Sequence, residues 1–591
     1  ETEELYFNCS LIQFRQDGIV EVIRTGTDEE VEAVKEIMKQ MHLVFYNASY
    51  DLGTLGMIPA QLDDLFYLVK IAYPQFQEFS LDKVTTALGF GHLYAGIDKK
   101  ALQKKGFMRK QYLSKMMMDY AKADVEALEL MWALPKIQEA REVLAYKLSI
   151  YSLNEAMVWQ DNGLPVLKDT LDKYIADATR RDIEYSQQLE DLVGAPLNPR
   201  SSKQVKEYMG TVSSDKATLT RIAIEGSLSA AKEYTAKVRV KAREAQEFTE
   251  TQQQVAELVL LARKAKNDIS KLQGYVGNEK MYGRFNPMGT STSRWSCKGT
   301  QKGSSRPELF NAQNYSRDFK AVFGVKEGSG QIIVAADYAT LEIRIAACMM
   351  AEPNMYQALM DGVDIHKATA SMLFNKPVDE VHGKERSNAK VANFGLTYGM
   401  GKETFKHYAY DMYGLKLTDA EADDTISKFF KAYPALKTYH NGAGKKMKRG
   451  GYIYSTALDF RAKPKMYAEA INGPTQGTGG ECMRLAIHIM VKKDKDSLKY
   501  IVNSIHDALY LIVPEIDKDY WGKLLQESMQ EAWYEIRKSR HFKWHDVPMP
   551  VDLMLGYNMG ELEEDFAGGG QSLTIAEIKE QKERNALRET V

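Results

Sequence analysis

With 591 residues, 44% of them hydrophobic and 27% charged, the chain is too long for one hydrophobic core and is expected to fold as several domains. Its 78 Lys and Arg against 80 Asp and Glu leave a net charge of −2, which excludes nucleic-acid binding through global basicity and leaves only a locally positive groove. The four cysteines, Cys9, Cys297, Cys348 and Cys482, are scattered without a CxxC pair, against a zinc site or disulfide framework and in keeping with a reducing compartment.

Residues 1–145 alternate short apolar runs, Leu11-Ile-Gln-Phe14 and Leu43-Val-Phe-Tyr46, with helical patterns such as 116–132, an α/β signature. Residues 146–285 read as almost entirely helical and are dense in Lys, Arg, Glu and Gln. A Gly, Ser, Thr, Asn and Pro-rich stretch over 286–320 predicts loop or short strand. A strong strand follows at 331–336, then a helix over 338–350, several more helices, a Gly/Thr-rich helix start at 473–480, a hairpin over 502–513 and a closing helix over 520–537. Gly568 to Gly570 read as a flexible linker, and Thr574 with Glu577 is spaced as a capping box for a final charged helix. No run approaches the roughly 18 apolar residues of a membrane span. No signal peptide is visible, so the chain reads as soluble and intracellular; it opens on Glu1 rather than methionine, which leaves a removed targeting segment open.

Two segments carry the chemistry: Ile333-Val-Ala-Ala-Asp337-Tyr338-Ala-Thr-Leu-Glu342-Ile-Arg344 and Val502-Asn-Ser-Ile-His506-Asp507-Ala508. Each sets a carboxylate where an apolar strand stops, a costly place for an ionised group without a partner. Paired in one sheet, the two strand ends could hold two divalent ions about 3.5–4 Å apart, as in-line phosphoryl transfer requires. Between them Arg386, Lys390, Phe394 and Tyr398 recur every fourth residue and share one helix face. Two cations followed by two rings suit a nucleoside triphosphate; the bland alternative is a solvated basic stripe beside core aromatics.

These segments resemble motifs A, B and C of family A DNA polymerases, the DNA polymerase I group, of phage or organelle type. The resemblance implies a multidomain α/β and α+β chain: an RNase H-like 3′–5′ exonuclease domain (1–145) followed by a right-hand polymerase. The hand would comprise a thumb (146–285), a palm (286–360 and 471–565), fingers (361–470) and a linker with a helical tail (566–591). It implies Asp337 and Asp507 as metal carboxylates, with the Tyr338 carbonyl as a further ligand. Arg386 and Lys390 would hold the triphosphate, with His366 as another phosphate contact, and Phe394 and Tyr398 would line the nucleotide pocket. Glu342 would lie where a ribose 2′-hydroxyl must fit, its alternative being an ordinary helix salt bridge, and Phe394 implies poor use of dideoxynucleotides. Arg294, Gln313, Asn314, Asn472, Gln476 and His506 resemble the residues that contact DNA, where Arg and Gln donors sense the minor-groove acceptors that every base pair presents. The chain departs from the family at Ala508, where motif C usually has glutamate, and at Ala468, where an arginine is frequent.

The basic region of Lys232, Lys237, Arg239, Lys241, Arg243, Arg263, Lys264, Lys266 and Lys271 resembles the thumb, and Asn198 to Gln204 reads as a capped helix start suited to phosphate. Asn47-Ala-Ser-Tyr-Asp51 and Tyr120-Ala-Lys-Ala-Asp124 resemble the second and third motifs of DnaQ-like exonucleases. Glu1-Thr2 matches the end of the first motif, leaving its leading aspartate upstream, or else Glu1 and Glu3 stand in for the acidic pair; editing is therefore expected to be impaired. The implied reaction is Mg²⁺-dependent attack of a primer 3′-hydroxyl on the α-phosphate of a matched dNTP, with two ions per site and Mn²⁺ as a substitute. Primer–template DNA and dNTPs are the implied partners, with a replisome protein on the tail and no membrane. The rival readings are a single-subunit RNA polymerase and a catalytically inactive DNA-binding replisome scaffold.

Overall fold

The computed structural model describes residues 11–16, 19–24, 28–98, 115–228, 234–235, 238–239, 246–299, 308–413, 415 and 417–566. Glu1, Glu3, Lys232, Lys237, Lys241, Arg243 and the linker and tail from 567 onward lie outside the described residues.

In the N-terminal unit, β1 (Leu11–Gln16) and β2 (Ile19–Arg24) pair antiparallel. β3 (His42–Phe45) leads through α1 (Ala48–Leu55) to β4 (Gln61–Asp64), its parallel partner. The two pairs are separate two-stranded sheets among the described residues. α2 (Leu65–Ala72) leaves β4 directly, and α3 (Lys115–Trp132) supplies the helix expected over 116–132. α4 (Leu144–Trp159) then leads to the long α5 (Lys168–Val193), which packs along α6 (Glu250–Gln273). Thr249 and Gln252 close a capping box at the head of α6. An antiparallel pair, β5 (Arg284–Asn286) and β6 (Ser296–Lys298), leads into the Gly/Ser-rich stretch.

β7 (Gln331–Tyr338) is an inner strand of a four-stranded sheet. The helix expected from 338 begins later, as α7 (Leu341–Met350). Tyr338 stays in the strand because it pairs with Val551 and its buried hydroxyl donates to the Met529 carbonyl at 2.6 Å. Thr340, at φ 55°, then turns the chain. α8 (Ile365–Phe374), α9 (Gly383–Thr397) and α10 (Asp419–Ala432) form the next helical layer, and the hairpin β8 (Tyr454–Ser455) and β9 (Arg461–Ala462) precedes α11 (Tyr467–Lys493). The Gly/Thr-rich segment expected to start that helix lies inside it, with Pro474. Tertiary packing overrides propensity here: a Cβ at Gly477 would stand 2.8 Å from the Thr292 carbonyl oxygen, and one at Gly480 3.0 Å from that of Ser293. The glycines admit the loop that carries Arg294.

β10 (Ile501–Ile505) and β11 (Ala508–Pro514) form the expected hairpin, α12 (Lys518–Ile536) the closing helix, and β12 (Val551–Gly556) the last strand. The sheet order is β10-β11-β7-β12, antiparallel throughout. Among the described residues apolar burial falls into three cores: the sheet with its helices and the base of α5 and α6; the tip of that helix pair; and the N-terminal unit, which takes in Met288 and Phe460 from the central body. Cys297, Cys348 and Cys482 are buried free thiols. Among the described residues no helix is long and apolar enough to cross a membrane.

Candidate active site

The sheet brings the two expected aspartates together. Asp337 lies at the end of β7 in register with Ala508, and Asp507 occupies the turn before Ala508. The Tyr338 N–H donates to the Asp507 carbonyl at 3.3 Å, joining the two segments through the backbone. His506, exposed in the same turn, has φ 51°. Burial, then Asp507 and Asp552, hold the Asp337 carboxyl well above the usual carboxylate range. Burial also raises Asp507, against the pull of Arg294 and His506.

Asp552, which sequence reasoning missed, pairs with Asp337 from the other flank, on β12. Cross-strand partners project to the same face, so one row reads Ala508, Asp337, Asp552. Only strand register places it there, and no spacing in the sequence encodes that register. Among the described residues no group of three or more His, Cys, Asp or Glu could by itself hold a metal ion. Hard carboxylate oxygens that repel one another still suit Mg²⁺, which is commonly bound by one or two carboxylates together with substrate phosphates.

Arg294 enters this centre from the loop between β5 and β6. Its guanidinium pairs with Glu342 of α7, which is 9% exposed, and stands 4.0 Å from Asp507. Glu342 is thus in an ion pair that spans two segments, rather than one within its helix. Gln313 donates to the Ser504 carbonyl at 3.0 Å, and Asn503 donates to the Ala312 carbonyl at 2.8 Å, so the segment of Gln313 and the exposed Asn314 is pinned to β10. Gln476 and Asn472 lie on α11, where the buried Asn472 Oδ1 accepts no hydrogen bond.

On α9 the four-residue stripe is intact, with Tyr398 capping the C-terminus. Arg386 forks onto Asp364 through Nε at 2.8 Å and Nη2 at 2.7 Å. Asp364 also caps α8, accepting from the N–H groups of His366 and Lys367. Burial pushes the His366 imidazole down to about 4, so it is neutral at pH 7. The Asn393 NH2 group lies 2.9 Å from Nδ1 and can only donate there, which leaves Nε2 as the protonated donor. The Phe394 ring stands 5.7 Å from His366 and 6.3 Å from Tyr398 between centroids. The buried Tyr398 hydroxyl has no hydrogen-bond partner, and its electrostatic neighbours are Asp507, Arg294 and Tyr408, so the stripe ends toward Asp507. Lys390 lies midway along it.

Farther out lie two cations of the basic region. Arg263 turns inward to the Pro199 and Ser214 carbonyls, and Lys264 pairs with Asp318 at 2.6 Å, so both are engaged structurally. Ser201 caps its helix as expected.

The N-terminal unit gathers a second acidic group. Asp51 is in the first turn of α1, behind Asn47 at φ 69°. Burial, then Asp64 and Asp124, push its carboxyl up to about 7. Asp124 accepts from the Tyr94 hydroxyl at 2.8 Å, and the Tyr94 and Tyr120 rings lie 6.1 Å apart. Tyr94 was not anticipated, because no motif spacing connects its short 3₁₀ turn to α3. Glu1 lies outside the described residues.

Residues 168–561 match the profile described as DNA polymerase family A. The chain is 31% identical over 306 residues to DNA polymerase I of Aquifex aeolicus, covering 50% of each. It is 24% identical over 366 residues to a DNA polymerase of Bacillus phage SP01, covering 58% of this chain and 39% of that one. The chain thus spans half or less of the length of these relatives. Its fold is similar to a solved structure of the POL domain of Pol1 from M. smegmatis in complex with DNA primer-template and dNTP. The TM-score is 0.67 at 18% identity, over 93% of this chain and 92% of that one.

Proposed function

The chain belongs to DNA polymerase family A, and we propose on that footing that it extends a primer 3′-hydroxyl with deoxynucleotides directed by a DNA template. The observation that carries the reading is the meeting of Asp337 and Asp507 at one end of the sheet, with the α9 stripe ending toward Asp507. In this reading 146–285 is the thumb, 286–360 and 471–565 the palm and 361–470 the fingers.

Asp337, Asp507 and the Tyr338 carbonyl would hold Mg²⁺, which when bound lowers the pKa of a coordinated hydroxyl and neutralises charge on the leaving phosphates. Lys390 would meet the triphosphate, and Arg386 would meet it with the N–H groups that do not face Asp364. His366 would add a neutral Nε2–H donor. Phe394 and Tyr398 would stack on base and sugar, and the partnerless Tyr398 hydroxyl and Asn472 oxygen would find partners in the bound substrates. Arg294, Gln313, Asn314, Asn472, Gln476 and His506 would line the primer terminus. Glu342, held by Arg294, would reject a 2′-hydroxyl. The protein would act inside the cell, and the linker and tail (566–591) would dock a replisome protein.

The test is Mg²⁺-dependent extension of a 5′-labelled DNA primer. Extension with dNTPs that is lost in Asp337→Asn and Asp507→Asn supports the reading. Preference for ribonucleotides would favour the RNA polymerase alternative, and DNA binding without extension the scaffold. A second observation, Asp51 and Asp124 converging beside Tyr120 and Tyr94, favours 3′–5′ excision by the N-terminal unit. Shortening of a mismatched primer without dNTPs tests it, and no shortening would mean that an editing carboxylate is lacking.

A further inference from the structure

The segment that carries Arg294 turns at Ser293, which has φ 63°. The loop is gripped by two buried basic side chains. From the central body, Arg484 of α11 donates to the Pro287 carbonyl at 2.7 Å and to the carbonyl and hydroxyl of Ser293. From the N-terminal unit, Lys70 of α2, only 4% exposed, donates to the carbonyls of Met288 at 2.5 Å and Thr290 at 2.8 Å. The Thr290 hydroxyl accepts the backbone N–H of Arg294 at 2.8 Å. Lys70 is therefore two hydrogen bonds from the backbone of the residue that pairs with Glu342 and faces Asp507.

A buried ammonium is costly unless paired, and no carboxylate pairs with Lys70 among the described residues. Its surroundings are the two loop carbonyls and the rings of Phe66, Phe79 and Phe460, at 5.2, 5.8 and 5.9 Å. A second strut runs beside it. Asn286 donates to Asn47 Oδ1 at 3.2 Å and Ser49 Oγ at 3.3 Å, and accepts from the Tyr67 hydroxyl at 3.0 Å. The other end of α2 serves the editing cluster: Asp64, its N-cap, accepts from Asn47 and Ala48 N–H at 2.9 Å and so holds the head of the helix that carries Asp51. An eight-residue helix thus touches one acidic centre with its cap and the arginine loop of the other with its lysine.

We infer that Lys70 is a positioning residue for synthesis: through the Met288 and Thr290 carbonyls it sets where Arg294 stands, so the N-terminal unit tunes how strictly the polymerising site extends a mispaired primer end. This rests on the polymerase reading above. Lys70 touches no reacting atom; it acts through Arg294.

The experiment uses the full chain and single-turnover extension of matched and 3′-mismatched primers on one template, in wild type, Lys70→Met, Thr290→Val, Arg294→Ala and the Lys70→Met/Arg294→Ala pair. Lys70→Met and Thr290→Val should each lower the matched-to-mismatched rate ratio about fivefold, the size of effect usual for a residue along a coupling network. The double variant should match Arg294→Ala alone, because the two act through one group. Wild-type ratios in both Lys70→Met and Thr290→Val, or full additivity with Arg294→Ala, would overturn the inference. Should Lys70→Met fail to fold, Lys70→Gln, which keeps a donor but shortens its reach to the two carbonyls, takes its place with the same expected drop. A wild type that extends no primer would remove the polymerase reading itself, whereas normal extension with unchanged ratios removes only the inference.

Discussion

Asp337 lies between two strand neighbours of opposite character, Ala508 on one flank and Asp552 on the other. Like charges directly opposite on a sheet destabilise it, by roughly 0.2–1 kcal/mol, and a cation that binds only the folded state restores that and more by mass action. Asp552→Asn should therefore stabilise the metal-free protein by about 0.5 kcal/mol and shrink the melting-temperature rise on adding Mg²⁺. A larger Mg²⁺ increment in Asp552→Asn than in wild type would show that this carboxylate does not help attract the ion. Asp337→Asn and Asp507→Asn should lower primer extension by about a thousandfold or more, with DNA retention on a filter or gel little changed. Retained extension in either would show that the reaction runs elsewhere. Histidine behaves differently from these acids. His440 is 4% exposed, donates to the Thr397 carbonyl at 3.1 Å, and is pushed down to about 4 by burial. A folded pKa depressed below the unfolded value means stability present above about pH 6.5 and lost as pH falls through about 4. His440→Gln should thus show a shallower loss of stability between pH 6.5 and 4 than wild type, by on the order of 2 kcal/mol. Parallel pH–stability curves would refute it.

At the scale of elements, α11 shows how packing decides what propensity does not. A glycine-rich segment with a proline looks like a helix boundary, yet it runs through the middle of a 27-residue helix because the arginine loop presses against it. Gly477→Ala would bring a Cβ to 2.8 Å from the Thr292 carbonyl oxygen and into the Thr456 side chain. It should destabilise by about 1–3 kcal/mol, the usual cost of overpacking, and displace Arg294. A melting temperature and mismatch ratio equal to wild type would show that the loop yields freely. The same contrast explains what was legible in the sequence. Asp337, Asp507 and the α9 stripe were legible because strand ends and a four-residue period are local patterns. The hairpin around His506 and Asp507 was legible for the same reason. Asp552, the Arg294–Glu342 pair and the Tyr94–Asp124 contact were not, because each depends on how distant segments come into register. The helix after Asp337 was placed too early because Tyr338 looks helix-competent, and only its pairing with Val551 shows it to be strand.

At the scale of the whole molecule, the N-terminal unit is joined to the central body by polar contacts as well as apolar ones. Besides Lys70 and Asn286, the Lys463 N–H donates to the Pro74 carbonyl at 2.7 Å and the Ala145 N–H to that of Leu458 at 3.3 Å, while Met288 and Phe460 enter its core. Burial, and then the nearby Arg484, push the Lys70 ammonium down to about 7 from an ordinary value above 10. For a depressed folded pKa, the stabilising contribution is full above the unfolded value of about 10.4 and is lost as pH falls through the folded one. Below about pH 7 both states carry the proton, and the cost of burying the charge is borne in full. Lys70→Met has no such titration. Whatever it loses in hydrogen bonds, its stability relative to wild type should improve as pH falls from 9 to 7, by on the order of 2 kcal/mol, and level off below. Thermal unfolding of both proteins across that range measures the difference directly. A constant gap would mean that Lys70 keeps its proton throughout, held by the Met288 and Thr290 carbonyls. A closing gap would mean that mild acid strains the seam between the two bodies, at the point where Lys70 bonds the loop that carries Arg294.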